Sequence, residues 1–174
     1  MTGGARSGRS AYALRRAAEL GPPPWLYMTG GQETDEAIRK RAERTRRESE
    51  AIWRTGVLTS DLSTLSTLIE TAKKDGVGAL VLDGFVPWLS KRLAAAPAAE
   101  AELLAEVQEF AERLARGSLP ALVVTQEVGH GIPHINPDTP EYRLLRLVGH
   151  ANQMLANEAT GLVMMVCGVP LRVR

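Results

Sequence analysis

Four runs of mainly apolar residues, rich in valine, leucine and methionine, recur along the chain and predict buried β-strands. They cover residues 25–29, 79–83, 121–127 and 162–169. None of the runs alternates regularly between apolar and polar positions, which is typical of strands covered on both faces. The pattern therefore predicts a mainly parallel sheet.

Amphipathic segments alternate with these strands and predict helices. The predicted helices cover residues 10–20, 35–53, 61–74, 98–116 and 140–158. Strands that alternate with helices indicate βαβ units, which place helices on both faces of a parallel sheet. We therefore expect one α/β domain over residues 1–174.

A glycine-rich loop before the first predicted helix has the spacing of a phosphate-binding loop. It matches the pattern G-x-x-x-x-G-K-[ST], except that arginine replaces lysine, and it consists of Gly3, Gly4, Ala5, Arg6, Ser7, Gly8, Arg9 and Ser10. Glycines let backbone N–H groups face phosphate oxygens, and the helix start adds its positive dipole end. We expect Arg9 to contact the β and γ phosphates of a nucleotide, and Ser10 to bind Mg²⁺. A glycine-rich terminus without a function is the alternative.

The position of this loop predicts an incomplete start of the fold. A phosphate loop normally follows a buried strand, which delivers it to the carboxyl edge of the sheet. Here the loop begins almost directly behind Met1. We therefore expect a P-loop nucleoside triphosphate hydrolase-like fold with a truncated first strand. Either the strand is missing from the sequence as given, or the natural start codon lies upstream.

Composition favours a cytoplasmic protein that binds neither nucleic acid nor membranes. The net charge is +1, from 21 basic and 20 acidic residues, so the overall balance attracts neither partner. No apolar run reaches the ~18–20 residues that span a bilayer, and the N-terminus lacks the apolar core of a signal peptide. The single cysteine, Cys167, excludes an internal disulfide and is predicted to be buried in a strand.

Several segments together resemble a known enzyme family. They are residues 2–8, 26–27, 53–55, 80–83, 124–132, 149, 152–153 and 168–172. With them the chain resembles the bifunctional adenosylcobinamide kinase/adenosylcobinamide-phosphate guanylyltransferases of cobalamin biosynthesis. The segment 125–132 is the most specific part of this resemblance.

The resemblance implies an enzyme that acts on adenosylcobinamide and a purine nucleotide. Such an enzyme phosphorylates the aminopropanol hydroxyl with ATP or GTP, and then transfers GMP from GTP to the new phosphate, releasing pyrophosphate. The resemblance also implies that Mg²⁺ accompanies the nucleotide and that Gly30 and Gly31 contact the nucleotide. It further implies that the protein is a homo-oligomer, which is a trimer in this family.

Two carboxylates at predicted strand ends are candidate catalytic groups. Asp83 is expected to hold Mg²⁺ directly or through water, with capping of the next helix as the alternative. Glu127 ends the next strand at the same edge and is expected to orient Mg²⁺ or the attacking hydroxyl. A purely structural carboxylate is the alternative at that position.

The guanylyl-transfer half departs from the family pattern. The resemblance implies a histidine that forms a covalent phosphoramidate, but its position falls on Thr45, between Arg44 and Arg46. A family glutamate likewise falls on Val57. A threonine hydroxyl without a paired base is a poor nucleophile, so residues 44–46 are predicted to bind nucleotide rather than to react. A salt-bridged helix face is the alternative for this segment, and a nucleotide-binding relative without catalysis is the alternative for the whole protein.

Overall fold

The fold was described from a computed structural model, which covers residues 1–30, 53–58, 62–128, 136 and 139–174. The strands within these residues are β1 (Thr2–Gly3), β2 (Trp25–Thr29), β3 (Trp53–Val57), β4 (Ala79–Asp83), β5 (Ala121–Val124), β6 (Val163–Val166) and β7 (Val169–Arg172). The helices are α1 (Arg9–Leu20), α2 (Leu62–Lys74), α3 (Phe85–Ala95), α4 (Glu100–Arg116) and α5 (Pro140–Glu158). None of these helices is long and apolar enough to cross a membrane.

The strands form two ladders that meet where β1 lies beside the end of β5. One ladder has the order β3-β2-β4-β5 and is entirely parallel, whereas in β1-β6-β7 only β7 is antiparallel to its neighbour. The Met1 α-amino group donates to the Val123 carbonyl at 2.7 Å, and the Thr125 N–H donates to the Met1 carbonyl at 3.0 Å. This alternation is that of a parallel pair, so the carboxyl ends of β1, β2, β4 and β5 share one edge.

The two faces of the sheet carry different layers of helices. Successive side chains of a strand point to opposite faces. On one face, Leu80 and Leu82 of β4 pack in a large apolar cluster with α2, α3, α4 and α5, and we call this the four-helix face. On the other, the α1 face, Val81 packs with Ala13 and Ala17 of α1. The predicted α/β architecture with a mostly parallel sheet is confirmed.

The predicted bounds of β2, β4 and α5 are confirmed, and α1, α2 and α4 begin within two residues of prediction. The start of α5 shows why its pattern was clear. Pro140 occupies the first turn, and the Thr139 hydroxyl accepts the N–H of Tyr142 at 3.3 Å. Both are strong helix-start signals because they match the fixed φ and the unpaired N–H groups of a first turn. Helix α3 has no counterpart in the predictions.

Strand β3 begins where the pattern predicts the end of a helix. The predicted helix over residues 35–53 lies outside the described residues except for Trp53, and Trp53 starts a strand in parallel register with β2. Gly56 suits this pairing, because a Cβ there would lie 2.6 Å from the sulfur of Met28. The helix prediction is therefore wrong at its last residue.

The two other predicted strands end earlier than expected. β5 stops at Val124, because its partner β4 ends at Asp83, and the chain beyond it bonds to β1 instead. The predicted strand 162–169 is broken by a tight turn whose residues Cys167 and Gly168 have φ of 49° and 84°. Cys167 is exposed in that turn, so the prediction of a buried thiol is wrong.

A short strand precedes the glycine-rich loop, where the pattern predicts none. Thr2 and Gly3 run parallel to β6, with Gly3 opposite Met165. Gly3 has φ of 143°, and a Cβ on it would lie 2.5 Å from the Met165 carbonyl oxygen, so only glycine fits. Burial, together with the Arg9 guanidinium, lowers the pKa of the nearby Met1 α-amino group to about 6.

Candidate functional site

The glycine-rich loop connects β1 to α1 at the carboxyl edge of the sheet. Its turn is closed by the Ser7 N–H, which donates to the Gly4 carbonyl at 3.3 Å. Arg6 and Gly8 adopt positive φ of 56° and 92°, which bend the chain sharply before the helix. Arg6 is exposed, whereas Ser7 is buried. The loop therefore presents its middle residues to solvent at the end of the sheet.

Two helices start at this edge directly behind glycines. Gly8 precedes α1 and Gly84 precedes α3, and a glycine has no side chain that could cap the first turn of the helix. Neither first turn contains an acidic residue. The N–H groups of a first turn and the positive end of the helix dipole favour an anion. The edge is therefore electrostatically suited to phosphate groups.

Asp83 lies at the same edge, on the α1 face, and its carboxylate is held by a neighbouring strand. The register pairs Thr29 with Asp83 and Tyr27 with Val81, which puts the Tyr27 and Asp83 side chains on one face. The Tyr27 hydroxyl donates to Asp83 Oδ2 at 2.8 Å. The ring of Tyr27 meets that of Trp53 edge-on, with 6.3 Å between their centroids. Tyr27 therefore orients this carboxylate.

The exit of β5, residues 125–127, lies beside the loop and carries Glu127. The Arg9 guanidinium donates to the Thr125 carbonyl. The Glu127 N–H donates to the Gly3 carbonyl at 3.2 Å, and its Oε2 accepts from the Thr2 hydroxyl at 3.4 Å. Arg9 and Glu127 are therefore both fixed relative to the glycine-rich loop.

The turn between β6 and β7 supports the loop from its other side. The Gly168 N–H donates to the Ser7 carbonyl at 3.1 Å, and a Cβ on Gly8 would lie 3.5 Å from the Gly168 Cα. The Ser7 hydroxyl is buried and has no hydrogen-bond partner among the described residues. Such an unpaired buried hydroxyl costs about 1–3 kcal/mol, so this part of the loop gains from a polar partner.

Gly30 brings the exit of β2 against that of β4. Its N–H donates to the Asp83 carbonyl at 2.8 Å, and a Cβ on it would lie 1.9 Å from the Gly84 carbonyl oxygen. No other residue fits so close to that backbone. The remaining predicted nucleotide contacts lie outside the described residues, and they are Gly31, Arg44, Thr45 and Arg46.

The donors at this edge suit a hard cation that arrives with phosphate. Mg²⁺ prefers oxygen ligands and usually combines one or two protein groups with phosphates and water. Asp83 offers a carboxylate and Ser10 a hydroxyl in the first turn of α1. No cluster of three or more His, Cys, Asp or Glu side chains occurs in the described ranges. The oxygen donors of Asp83 and Ser10 therefore fit a Mg²⁺ ion that arrives with a nucleotide.

Tyr27 was missed as a site residue from the sequence, although it belongs to a segment that carries the family resemblance. Its only signal is the strand register. Tyr27 stands two residues before the end of β2 and Asp83 ends the neighbouring strand β4, so their offset of two residues puts the hydroxyl and the carboxylate on the same face of the sheet.

Comparison with known proteins gives one match over nearly the whole chain. The model of the cobinamide kinase / cobinamide phosphate guanyltransferase family matches residues 1–173. No curated protein matches the chain.

Proposed function

Because this chain belongs to the cobinamide kinase / cobinamide phosphate guanyltransferase family, an enzyme family of cobalamin biosynthesis, we propose that it phosphorylates adenosylcobinamide with ATP or GTP. One observation carries the kinase proposal. A glycine-rich loop and the start of α1 lie with two carboxylates, Asp83 and Glu127, at one edge of a parallel sheet. Phosphoryl transfer depends mainly on positioning and electrostatic stabilisation, which this arrangement supplies.

The loop residues hold the triphosphate in this proposal. Backbone N–H groups over residues 3–10 and the start of α1 face the phosphate oxygens. The exposed Arg6 and the half-buried Arg9 add positive charge, and Gly30 keeps the exit of β2 close to that of β4, where Asp83 lies. Arginine keeps the charge of the expected lysine but spreads it over a planar group.

The two carboxylates have different roles in this proposal: Asp83 serves the metal ion and Glu127 serves the substrate hydroxyl. Ser10 and Asp83 would hold Mg²⁺, which neutralises phosphate charge when it is bound. Tyr27 keeps Asp83 in place through its hydroxyl. Glu127 orients the substrate hydroxyl and accepts its proton, while the hydroxyl oxygen bonds to the γ-phosphorus and the bond to the β–γ bridging oxygen breaks.

Transfer of GMP to the new phosphate is the second activity that family membership suggests. The covalent route implied by the resemblance uses a histidine where this chain has Thr45, and its three histidines are His130, His134 and His150. We therefore propose that the kinase reaction proceeds without the guanylyl half. We also propose that the protein assembles as a homotrimer, which sedimentation equilibrium would test.

Nucleotide binding without turnover is a second candidate function. One observation favours it: the Arg9 guanidinium donates to the Thr125 carbonyl, so part of its donor set is engaged within the protein. A lysine at the corresponding position would carry a compact charge toward the β and γ phosphates. Arg9→Lys therefore provides the matched variant: activity gained only by the lysine form would support the binding role for the natural chain.

A product assay separates these possibilities. The protein is incubated with adenosylcobinamide, Mg²⁺ and GTP or ATP, and the products are identified by mass. Adenosylcobinamide phosphate alone supports the proposed kinase. Adenosylcobinamide-GDP shows that the histidine is dispensable and contradicts the loss of the guanylyl half. No product, with nucleotide still bound in calorimetry, supports the non-catalytic candidate.

A further inference from the structure

A hydrogen-bonded bridge links α5 to the exit of β5. The Thr125 hydroxyl donates to Asn152 Oδ1 at 2.6 Å, and Asn152 Nδ2 donates to the Gln126 carbonyl at 3.0 Å. The carbonyl of Gln126 can only accept, so the amide nitrogen must face it, and this fixes the oxygen toward Thr125. Asn152 therefore uses both halves of its amide on two consecutive residues.

Helix α5, which carries Asn152, packs on the four-helix face, whereas α1, which follows the glycine-rich loop, packs on the opposite face. Leu147, Val148 and Ala151 anchor α5 in the cluster on the four-helix face. Asn152 follows them, half-buried, in a helix interior where asparagine is a poor helix former. The two hydrogen bonds are what the side chain contributes there. They tie a helix that is anchored in the apolar core to a segment that forms no regular strand.

Residues 125–127 also form hydrogen bonds with the glycine-rich loop and with the residues next to it. The Thr125 N–H donates to Met1, its carbonyl accepts from Arg9, and the Glu127 N–H donates to Gly3. Thr125 itself is 7% exposed. Residues 125–127 thus position both Arg9 and Glu127. Asn152 binds Thr125 and Gln126, and its two hydrogen bonds given above go to neither Arg9 nor Glu127.

We infer that Asn152 is a positioning residue for the nucleotide site. It holds Thr125 and Gln126 so that the Thr125 carbonyl anchors Arg9 and the chain delivers Glu127 beside the loop. The catalytic consequence rests on the proposed kinase function. The structural consequence, an ordered exit and loop, does not depend on any reaction.

Hydrogen exchange of the nucleotide-free protein tests the structural part. Asn152→Ala should raise exchange about tenfold at the hydrogen-bonded amides of Ser7, Thr125 and Glu127, since a net loss of about 1.4 kcal/mol is a factor of ten. Gln153→Ala is the matched control, an exposed amide on the same helix, and should leave these amides unchanged. Unchanged exchange in Asn152→Ala overturns the inference.

Two variants at the other end of the bridge guard against a general loss of folding. Thr125→Val removes the donating hydroxyl and should reproduce the exchange increase, whereas Thr125→Ser keeps the hydroxyl and should behave like the unaltered protein. If Thr125→Ser is as damaged as Thr125→Val, the methyl group matters and the bridge does not, which contradicts the inference.

Kinetics tests the positioning of Arg9. Asn152→Ala should lower kcat for phosphoryl transfer about tenfold with a smaller change in KM, because the bound nucleotide is retained but poorly oriented. In an Arg9→Ala background the same substitution should change kcat by a smaller factor than in the unaltered protein, since its action through Arg9 is gone and only its action through Glu127 remains. Full effects in both backgrounds refute an action through Arg9. Absence of turnover in the unaltered protein refutes the kinase proposal instead, and the exchange result still decides whether Asn152 orders the site.

Discussion

The two faces of the sheet differ in the size of the apolar cluster that they bury and in the polar groups at their edge. The four-helix face buries an almost unbroken apolar cluster, in which Leu80, Leu82 and Phe110 are at most 2% exposed. The α1 face buries a smaller cluster, and at its carboxyl edge stand polar groups such as Tyr27 and Asp83. Because hydrophobic burial is the dominant favourable term in folding, we expect the four-helix face to supply more of the folding free energy, while the α1 face carries the polar groups of the candidate site at its edge.

Removing a core side chain from the four-helix face should have the largest effect. Phe110→Ala deletes a ring that is 2% exposed and far from the loop in sequence, and we expect a loss of about 3–5 kcal/mol in the free energy of unfolding. Chemical denaturation measures this loss. Glu109→Ala, next to it and in an exposed ion pair with Arg113, should change stability by less than about 1 kcal/mol.

The division between the faces also requires that Phe110→Ala leave the site intact. Nucleotide affinity per folded molecule should stay within a factor of two to three of the unaltered value, an order-of-magnitude expectation for a distant site. A large loss of affinity in fully folded protein would mean that the apolar packing around Phe110 shapes the site, beyond the support that Asn152 gives it, and would contradict the division between the two faces.

Asp83→Asn should have the opposite pattern to Phe110→Ala, with a small loss of stability and a large loss of activity. The amide fills the same space and its oxygen can still accept from Tyr27, so we expect less than about 1.5 kcal/mol of destabilisation. Loss of the charge that supports Mg²⁺ should lower kcat/KM for phosphoryl transfer on the order of 100-fold or more. Asp75→Asn, at an exposed carboxylate paired with Arg54, is the control. Near-normal activity in Asp83→Asn would exclude the proposed role.

Tyr27→Phe should give a smaller and mixed effect. It removes the hydroxyl that donates to Asp83 but keeps the ring against Trp53. A hydrogen bond to a charged group is worth about 1.5–3 kcal/mol, so kcat should fall about tenfold, with a modest loss of stability. Steady-state kinetics and denaturation measure the two parts. Tyr142→Phe, on α5, should change neither, and equal effects of both variants would show that the Asp83 contact is not the cause.

The fold was predictable where local signals agree with long-range pairing. β4 is apolar at four positions and is covered on both faces, so the run itself marks the strand. β3 has Arg54 and Gly56 within it, and only its neighbour β2 explains why a glycine suits that place. α3 was missed because its start, Phe85-Val86-Pro87-Trp88, has no polar cap signal, although proline is tolerated in a first turn.

The candidate site was predictable where one segment carries the signal. The glycine-rich loop and Asp83 follow from spacing and from the end of a buried run. The supporting contacts do not, because they join residues far apart in the chain: Tyr27 with Asp83 across 56 positions and Thr125 with Asn152 across 27. Such pairs depend on strand register and helix packing, which composition and periodicity leave open.

Arg6→Gly should have the smallest effect and should sharpen the comparison at the loop itself. Arg6 has φ of 56°, which costs a non-glycine residue about 1–2 kcal/mol, whereas glycine loses about 0.5–1 kcal/mol more entropy on folding. The difference predicts a gain of about 0.5 kcal/mol in stability. Nucleotide affinity should nevertheless fall a few-fold, because the exposed positive charge is lost.

Arg6→Lys separates the two contributions to that result. It keeps both the charge and the positive φ, so calorimetry should show near-normal affinity and denaturation no gain in stability. If Arg6→Gly binds nucleotide as well as Arg6→Lys does, the arginine charge does not face the phosphates. The conformational cost at this position would then serve the shape of the loop rather than its charge, because a turn this tight places the following N–H groups whichever side chain precedes them.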